Sequence, residues 1–118
     1  NSAKAMGAEA ELELPYSNHY PVTFNNVELT NKMLPSLEKS AGKSNVLLVP
    51  AVTIAEDFSF FSQLVPGLYF RLGGMREGED PKTTGPHHTS KFVLEDKSFI
   101  TGVKAMSNLV VDYMQMNK

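Results

Sequence analysis

The sequence has no cysteine among its 118 residues. That removes disulfides, thiol nucleophiles and cysteine-bound zinc from the options within this chain. A basic face is also missing: 11 Lys and Arg stand against 13 Asp and Glu, scattered singly and without interleaved aromatics. Nucleic acid and anionic membrane surfaces both call for a concentrated positive patch, so neither is expected as a partner. No run approaches the roughly eighteen apolar residues that span a bilayer, and no signal peptide is visible. There is no glycine-rich phosphate loop, no His-Glu-x-x-His helix and no Gly-x-Ser-x-Gly elbow. Internal repeats and low-complexity tracts are absent as well. What remains is an ordinary globular composition, 42% hydrophobic and 20% charged with a formal net charge of −2, enough for one domain with one modest core. The chain opens on Asn1 rather than Met, and residues 1 to 6 read as the middle of a helix. It is therefore expected to be a piece of a longer protein, whose compartment stays open between cytoplasm and periplasm or exterior.

Periodicity divides the chain. Residues 1 to 6 have helix-forming composition, with Gly7 as a stop. From Ala8 to Leu14, Glu9, Glu11 and Glu13 alternate with Ala10, Leu12 and Leu14, the period of a strand with one wet face. Pro15 ends it, and a polar loop with Tyr16, Ser17, Asn18 and His19 leads to the short run Tyr20 to Phe24. Asn25-Asn26 is a turn and helix-cap signal. The helical spacing of Val27, Leu29, Met33, Leu34 and Leu37 then runs to Gly42, with Pro35 expected to kink or restart it. Val46-Leu47-Leu48-Val49 reads as a strand buried on both faces. Ala55-Glu56-Asp57 precedes a short aromatic helix, Phe58 to Phe61. Leu68 to Leu72 is a further strand candidate, and Gly73 to Pro86 a loop. Lys97 to Met116 is the strongest helix, with Asp96 placed to cap it. Its stripe of Phe99, Ile100, Val103, Met106, Leu109, Val110, Tyr113 and Met114 is expected to face a core. Strands alternating with amphipathic helices predict an α/β architecture. The first strand differs in being half-wet and belongs either to a separate layer or to a separate domain from Val46 to Val49, with residues 20 to 26 as the natural boundary.

Three places offer chemistry. His87-His88 ends the Gly/Pro loop just before Phe92, and imidazole is both the commonest metal ligand and an acid/base group near neutral pH. Adjacent histidines do not easily chelate one ion, so at most one is a ligand, and spacing alone leaves two solvent-exposed loop histidines as the alternative. Glu56-Asp57 follows a buried strand, where α/β sites gather; by spacing this pair holds a metal, binds substrate or simply caps the Phe58 helix. Tyr16, His19 and Tyr20 form no constellation. A catalytic zinc takes three protein ligands, and this chain offers one good candidate.

Taken in order, the segments resemble the aminoacylase/carboxypeptidase type of dinuclear zinc peptidases, in particular the amidohydrolase branch with hippurate hydrolase and the auxin-conjugate hydrolases. The resemblance rests on Tyr20 to Asn26, on Glu28-Leu29-Thr30 leading into a helix that ends at Gly42, and on Ala55-Glu56-Asp57-Phe58-Ser59-Phe60-Phe61. It continues through Val65 to Gly73, His87-His88-Thr89-Ser90-Lys91-Phe92 and the helix with Ile100-Thr101-Gly102-Val103. It covers essentially the whole chain. It implies an α/β fold in which residues 1 to 24 are the last helix and strand of an inserted lid, or dimerisation, domain. Residues 25 to 118 would be the C-terminal part of the catalytic domain. It implies two divalent metal ions in the full protein, zinc expected and manganese or cobalt possible, with His88 as one ligand. Ser90 stands where many members have proline, which loosens the loop and leaves the ligand in place. Glu56, Asp57 and Phe58 would line the substrate pocket.

The resemblance also implies that the general base and the other ligands come from upstream motifs, so no catalytic residue lies in this chain. The activity implied is metal-assisted hydrolysis of an N-acyl amino acid or similar small amide, with the isolated chain inactive and binding no metal stably. A non-catalytic dimerisation or interaction module with the same fold is the alternative. On either reading, uncovered apolar surface and open strand edges predict self-association or a homodimer.

Overall fold

A computed structural model describes residues 2–14 and 19–116; Pro15, Tyr16, Ser17 and Asn18 of the expected strand end and polar loop lie outside the described residues. Among the described residues there are four α-helices: α1 (Ser2–Ala5), α2 (Val27–Ala41), α3 (Phe58–Ser62) and α4 (Asp96–Met116), with a 3₁₀ turn at Lys43–Asn45 after α2.

The ends of α2 follow the sequence signals, whereas Asp96, expected to cap the last helix, is instead the first residue of α4. Asn26 caps α2: its Oδ1 accepts the Leu29 N–H at 2.8 Å, satisfying one of the orphan donors of the first turn. Glu28 sits in that positive first turn and Lys39 in the negative last one, both complementing the helix dipole. Gly42 closes the helix at φ 85°, its N–H bonded to Glu38 O at 2.8 Å, in backbone space that costs glycine nothing. Pro35 does not restart the helix: α2 runs through it. Met33 on one side and Ser36 and Leu37 on the other are buried, and this packing offsets the roughly 3 kcal/mol that an interior proline costs.

The packed interface of the molecule is α2 against α4. Lys32 Nζ lies 5.4 Å from the centre of the Tyr113 ring, Lys39 Nζ is 3.3 Å from Asp112 Oδ1, and Asn108 Nδ2 donates to Ser40 Oγ at 2.9 Å. Later α2 residues meet earlier α4 residues, so the helices run antiparallel. Among the described residues, the buried hydrophobic ones are Met33, Leu37 and Ala105.

Two expectations are corrected here. The apolar stripe of α4 does not face a core: Phe99, Ile100, Val103, Met106, Val110, Tyr113 and Met114 are all exposed. The helix turns a narrower side inward, through Ala105, Asn108 and Asp112, because small and polar residues there let α2 approach closely. The expected strands at 8–14, 46–49 and 68–72 form no ladder either; among the described residues there is no strand. The 68–72 segment meets α4, where a Cβ on Gly102 would come within 2.8 Å of Leu72 Cδ2, and Glu95 N–H donates to Gly74 O at 2.8 Å. In residues 46–49 the Leu48 side chain is fully exposed. The patterns report correctly that these positions prefer burial, but a strand and a core-facing stripe need a covering layer. None of the described residues supplies it.

The accessible surface shows the consequence. It is 10253 Å², against about 6,300 Å² for a compact monomer of this mass. The radius of gyration is 19.8 Å, against about 13 Å for a compact domain of 100 residues.

Candidate functional site

The α3 turn is held from three directions. Asn25 behaves like the edge of a neighbouring strand: its Oδ1 accepts Tyr69 N–H at 2.7 Å and its Nδ2 donates to Tyr69 O at 2.8 Å. One residue on, Asn26 N–H donates to Gly67 O at 2.9 Å. Tyr69, fixed in this way, sends its hydroxyl to Glu56 Oε2 at 2.9 Å. The other carboxylate oxygen, Oε1, accepts Phe58 N–H at 3.1 Å. The expected helix cap is thus supplied by Glu56; Asp57 makes no side-chain cap bond. Phe58 completes the unit by packing its ring 5.6 Å from that of Tyr69 and over Gly67, where a Cβ would lie 2.9 Å from Phe58 Cζ. Only a glycine leaves room there.

These bonds set the charges. The Phe58 N–H first, and the Tyr69 hydroxyl second, hold the half-buried Glu56 carboxyl below its usual range, because both stabilise the ionised form. The same contact with Glu56 pushes the Tyr69 hydroxyl up. On the next residue, the Asp57 carboxylate raises the Tyr20 hydroxyl, while the Tyr20 ring meets Phe60 edge-on at 5.5 Å. Glu56, Asp57 and Phe58 are therefore brought together at one turn with two tyrosines.

His88 sits in a different kind of structure. Its turn is closed by Thr89 Oγ1 donating to Pro86 O at 2.8 Å and Phe92 N–H to Thr89 O at 3.1 Å. The His87 ring stacks against Phe92 at 4.5 Å, while His88 lies exposed with its ring 6.4 Å from that of His87. His88 is the non-glycine residue with positive φ, 64°, a left-handed conformation that costs an L-residue roughly 1–2 kcal/mol. Such strain collects at sites where a side chain must be aimed. His19 is exposed and joins no such arrangement.

None of the bonds and ring contacts among the described residues links His88 to Glu56, Asp57 or Phe58. No three His, Asp or Glu side chains converge among the described residues, so the residues present do not build a metal centre; one imidazole does not hold an ion. Two hollows in the surface of the described residues do not coincide with the candidate residues either. The larger, about 470 Å³, lies in the 78–93 loop between Glu79, Asp80, Thr84 and Lys91, where Asp80 and Glu79 are already bonded to Lys82 N–H and Thr84 Oγ1. The smaller, about 230 Å³, lies beside Phe24 and Pro66.

Residues 5–112 match the family described as Peptidase family M20/M25/M40. The chain belongs to that family. Among its relatives are thermostable carboxypeptidase 2 of Saccharolobus solfataricus, 34% identical across 91% of this chain and 26% of the relative, and thermostable carboxypeptidase 1 of the same organism, 35% identical over the same shares. A third is the Bacillus subtilis protein named "Putative amidohydrolase YhaA", 27% identical, again across 91% of this chain and 26% of the relative. The chain spans about a quarter of the length of these M20/M25/M40 relatives. No solved structure gives a significant match.

Reading the sequence singled out Glu56, Asp57 and Phe58 but missed Tyr69 and Asn25, which fix them. Asn25-Asn26 signals a cap and Tyr69 a strand. Nothing in local spacing says that residue 25 meets residue 69.

Proposed function

We propose that this chain is part of a metal-dependent amidohydrolase that hydrolyses the amide bond of N-acyl amino acids or similar small amides. Residues 1–24 end an inserted α/β lid, and residues 25–118 complete the α/β catalytic domain. The family match across residues 5–112 carries this reading, and the names of the relatives as carboxypeptidases and an amidohydrolase accord with it. The chain contributes the pocket wall at Glu56, Asp57 and Phe58 and one ligand, His88. The remaining ligands of two divalent ions, zinc first and manganese or cobalt as substitutes, come with the general base from the rest of the protein. Bound there, the metal ions supply Lewis-acid activation of the amide carbonyl and of water.

Metal analysis and hydrolysis assays on N-acyl amino acids, run on the full-length protein and on the 118-residue chain, test this. Metal and activity in the former, with neither in the latter, is the expected result. Activity in the chain alone overturns the assignment, as does a full-length protein without metal. Self-association of the isolated chain belongs to the same proposal. Its surface exceeds that of a compact monomer by roughly 4,000 Å², several times the roughly 800 Å² per partner of a standard interface. A non-catalytic dimerisation module is the second reading, favoured by that same surface. It predicts a dimer that binds no metal even at full length.

A further inference from the structure

The Glu56 carboxylate is gripped through both oxygens, by a backbone N–H from its own turn and by a hydroxyl from thirteen residues away. A carboxylate on a loop that served only as a helix cap would need the first bond alone. The second comes from a tyrosine whose own backbone is fixed on both its N–H and its C=O by one amide side chain, Asn25. The chain of bonds runs Asn25 to Tyr69 to Glu56 to Phe58 and crosses from the start of α2 to the start of α3. A side chain held within a fraction of an ångström by such partners is preorganised for its task.

We propose that Tyr69 is a positioning residue: its hydroxyl fixes the Glu56 carboxylate as a rigid wall group of the substrate pocket, and Asn25 sets the position of Tyr69. This rests on the pocket assignment made above. Tyr69 touches no substrate in this scheme; it acts through Glu56. The charged and titratable groups around Glu56 are Tyr69 itself, the adjacent Asp57, Tyr20 and, beyond Tyr69, Arg71. A wall group that binds the ground state and the transition state alike affects KM rather than kcat.

The test is Tyr69→Phe in the full-length protein, which removes the hydroxyl and keeps the ring packed on Phe58. Carbon-13 NMR of the Glu56 carboxyl, assigned with Glu56→Gln, reads the clamp directly, and steady-state kinetics on an N-acyl amino acid read its consequence. The titration midpoint of Glu56 rises in Tyr69→Phe, and KM increases by about tenfold, as the loss of a charge-assisted hydrogen bond implies, with kcat within about twofold. Asn25→Ala, by loosening Tyr69, shifts both in the same direction. An unchanged Glu56 midpoint overturns the proposal whatever the protein hydrolyses. A raised midpoint with kcat lowered and KM unchanged overturns the wall role. If the unsubstituted protein hydrolyses no amide, the amidohydrolase reading falls, and the titration alone still decides the clamp.

Discussion

The turn at Glu56 and the turn at His88 carry the candidate chemistry of this chain, and they are built in opposite ways. Residues 56–58 are tied by side-chain bonds to residues 25 and 69, far away in sequence. Residues 86–92 are closed only by their own neighbours, through Thr89, Phe92 and the His87 ring. The first has its charge state set by bonds to the carboxylate. The second leaves its imidazole in solvent on a strained backbone. On the proposed function, the wall group is shaped within this chain, whereas the proposed ligand waits for an ion and for ligands from elsewhere. Order in one region is intrinsic to the chain; in the other it is expected only on assembly.

Breaking the intrinsic order gives the largest effect. Asn25→Ala strips both backbone partners from Tyr69 and should cost about 2 kcal/mol, the order expected for stranded, part-buried peptide groups; urea unfolding of the full-length protein measures it. Gly67→Ala pushes a methyl into Phe58 Cζ and is expected to cost about 1–2 kcal/mol by overpacking, read in the same experiment. Acidification sharpens the comparison further. Glu56 is held below its ordinary range, so its contribution to stability is present above the unfolded-state value and is lost as pH falls through the folded one. Glu56→Gln should therefore flatten the acid limb of the stability profile. At the alkaline end the sign reverses for Tyr69, whose raised hydroxyl stabilises below the unfolded-state value and ceases to do so as pH rises through the folded one. The smallest effect belongs to the other turn. His88→Gly relieves the left-handed backbone and should leave stability unchanged or raise it by up to about 1 kcal/mol, while removing the proposed ligand.

The sequence reveals the helices of this molecule well, since capping and stopping are local chemistry. Asn26, Gly42 and Gly7 mark ends that the structure keeps, with Gly7 at φ 71° after α1. Strands are a different matter. Leu47 and Leu48 alternate with nothing and pair with nothing in the described residues, because pairing is a relation between segments that a pattern cannot contain. The α4 stripe fails as a core for the same reason: period 3.6 identifies the face that seeks burial, not the layer that covers it. At the candidate site, residue types and motif order pointed to Glu56, Asp57, Phe58 and His88. The bonds that give the Glu56 turn its rigidity, through Asn25 and Tyr69, span 44 residues and leave no local trace.

Amide hydrogen exchange on the full-length protein, with and without a chelator, tests the contrast between the two turns most directly. The account predicts that Phe58 and Tyr69 amides are protected in both conditions, whereas the Phe92 amide, bonded to Thr89 O, gains protection only with metal bound. Equal protection of the His88 turn with and without metal, or loss of protection at Tyr69 on chelation, would contradict it.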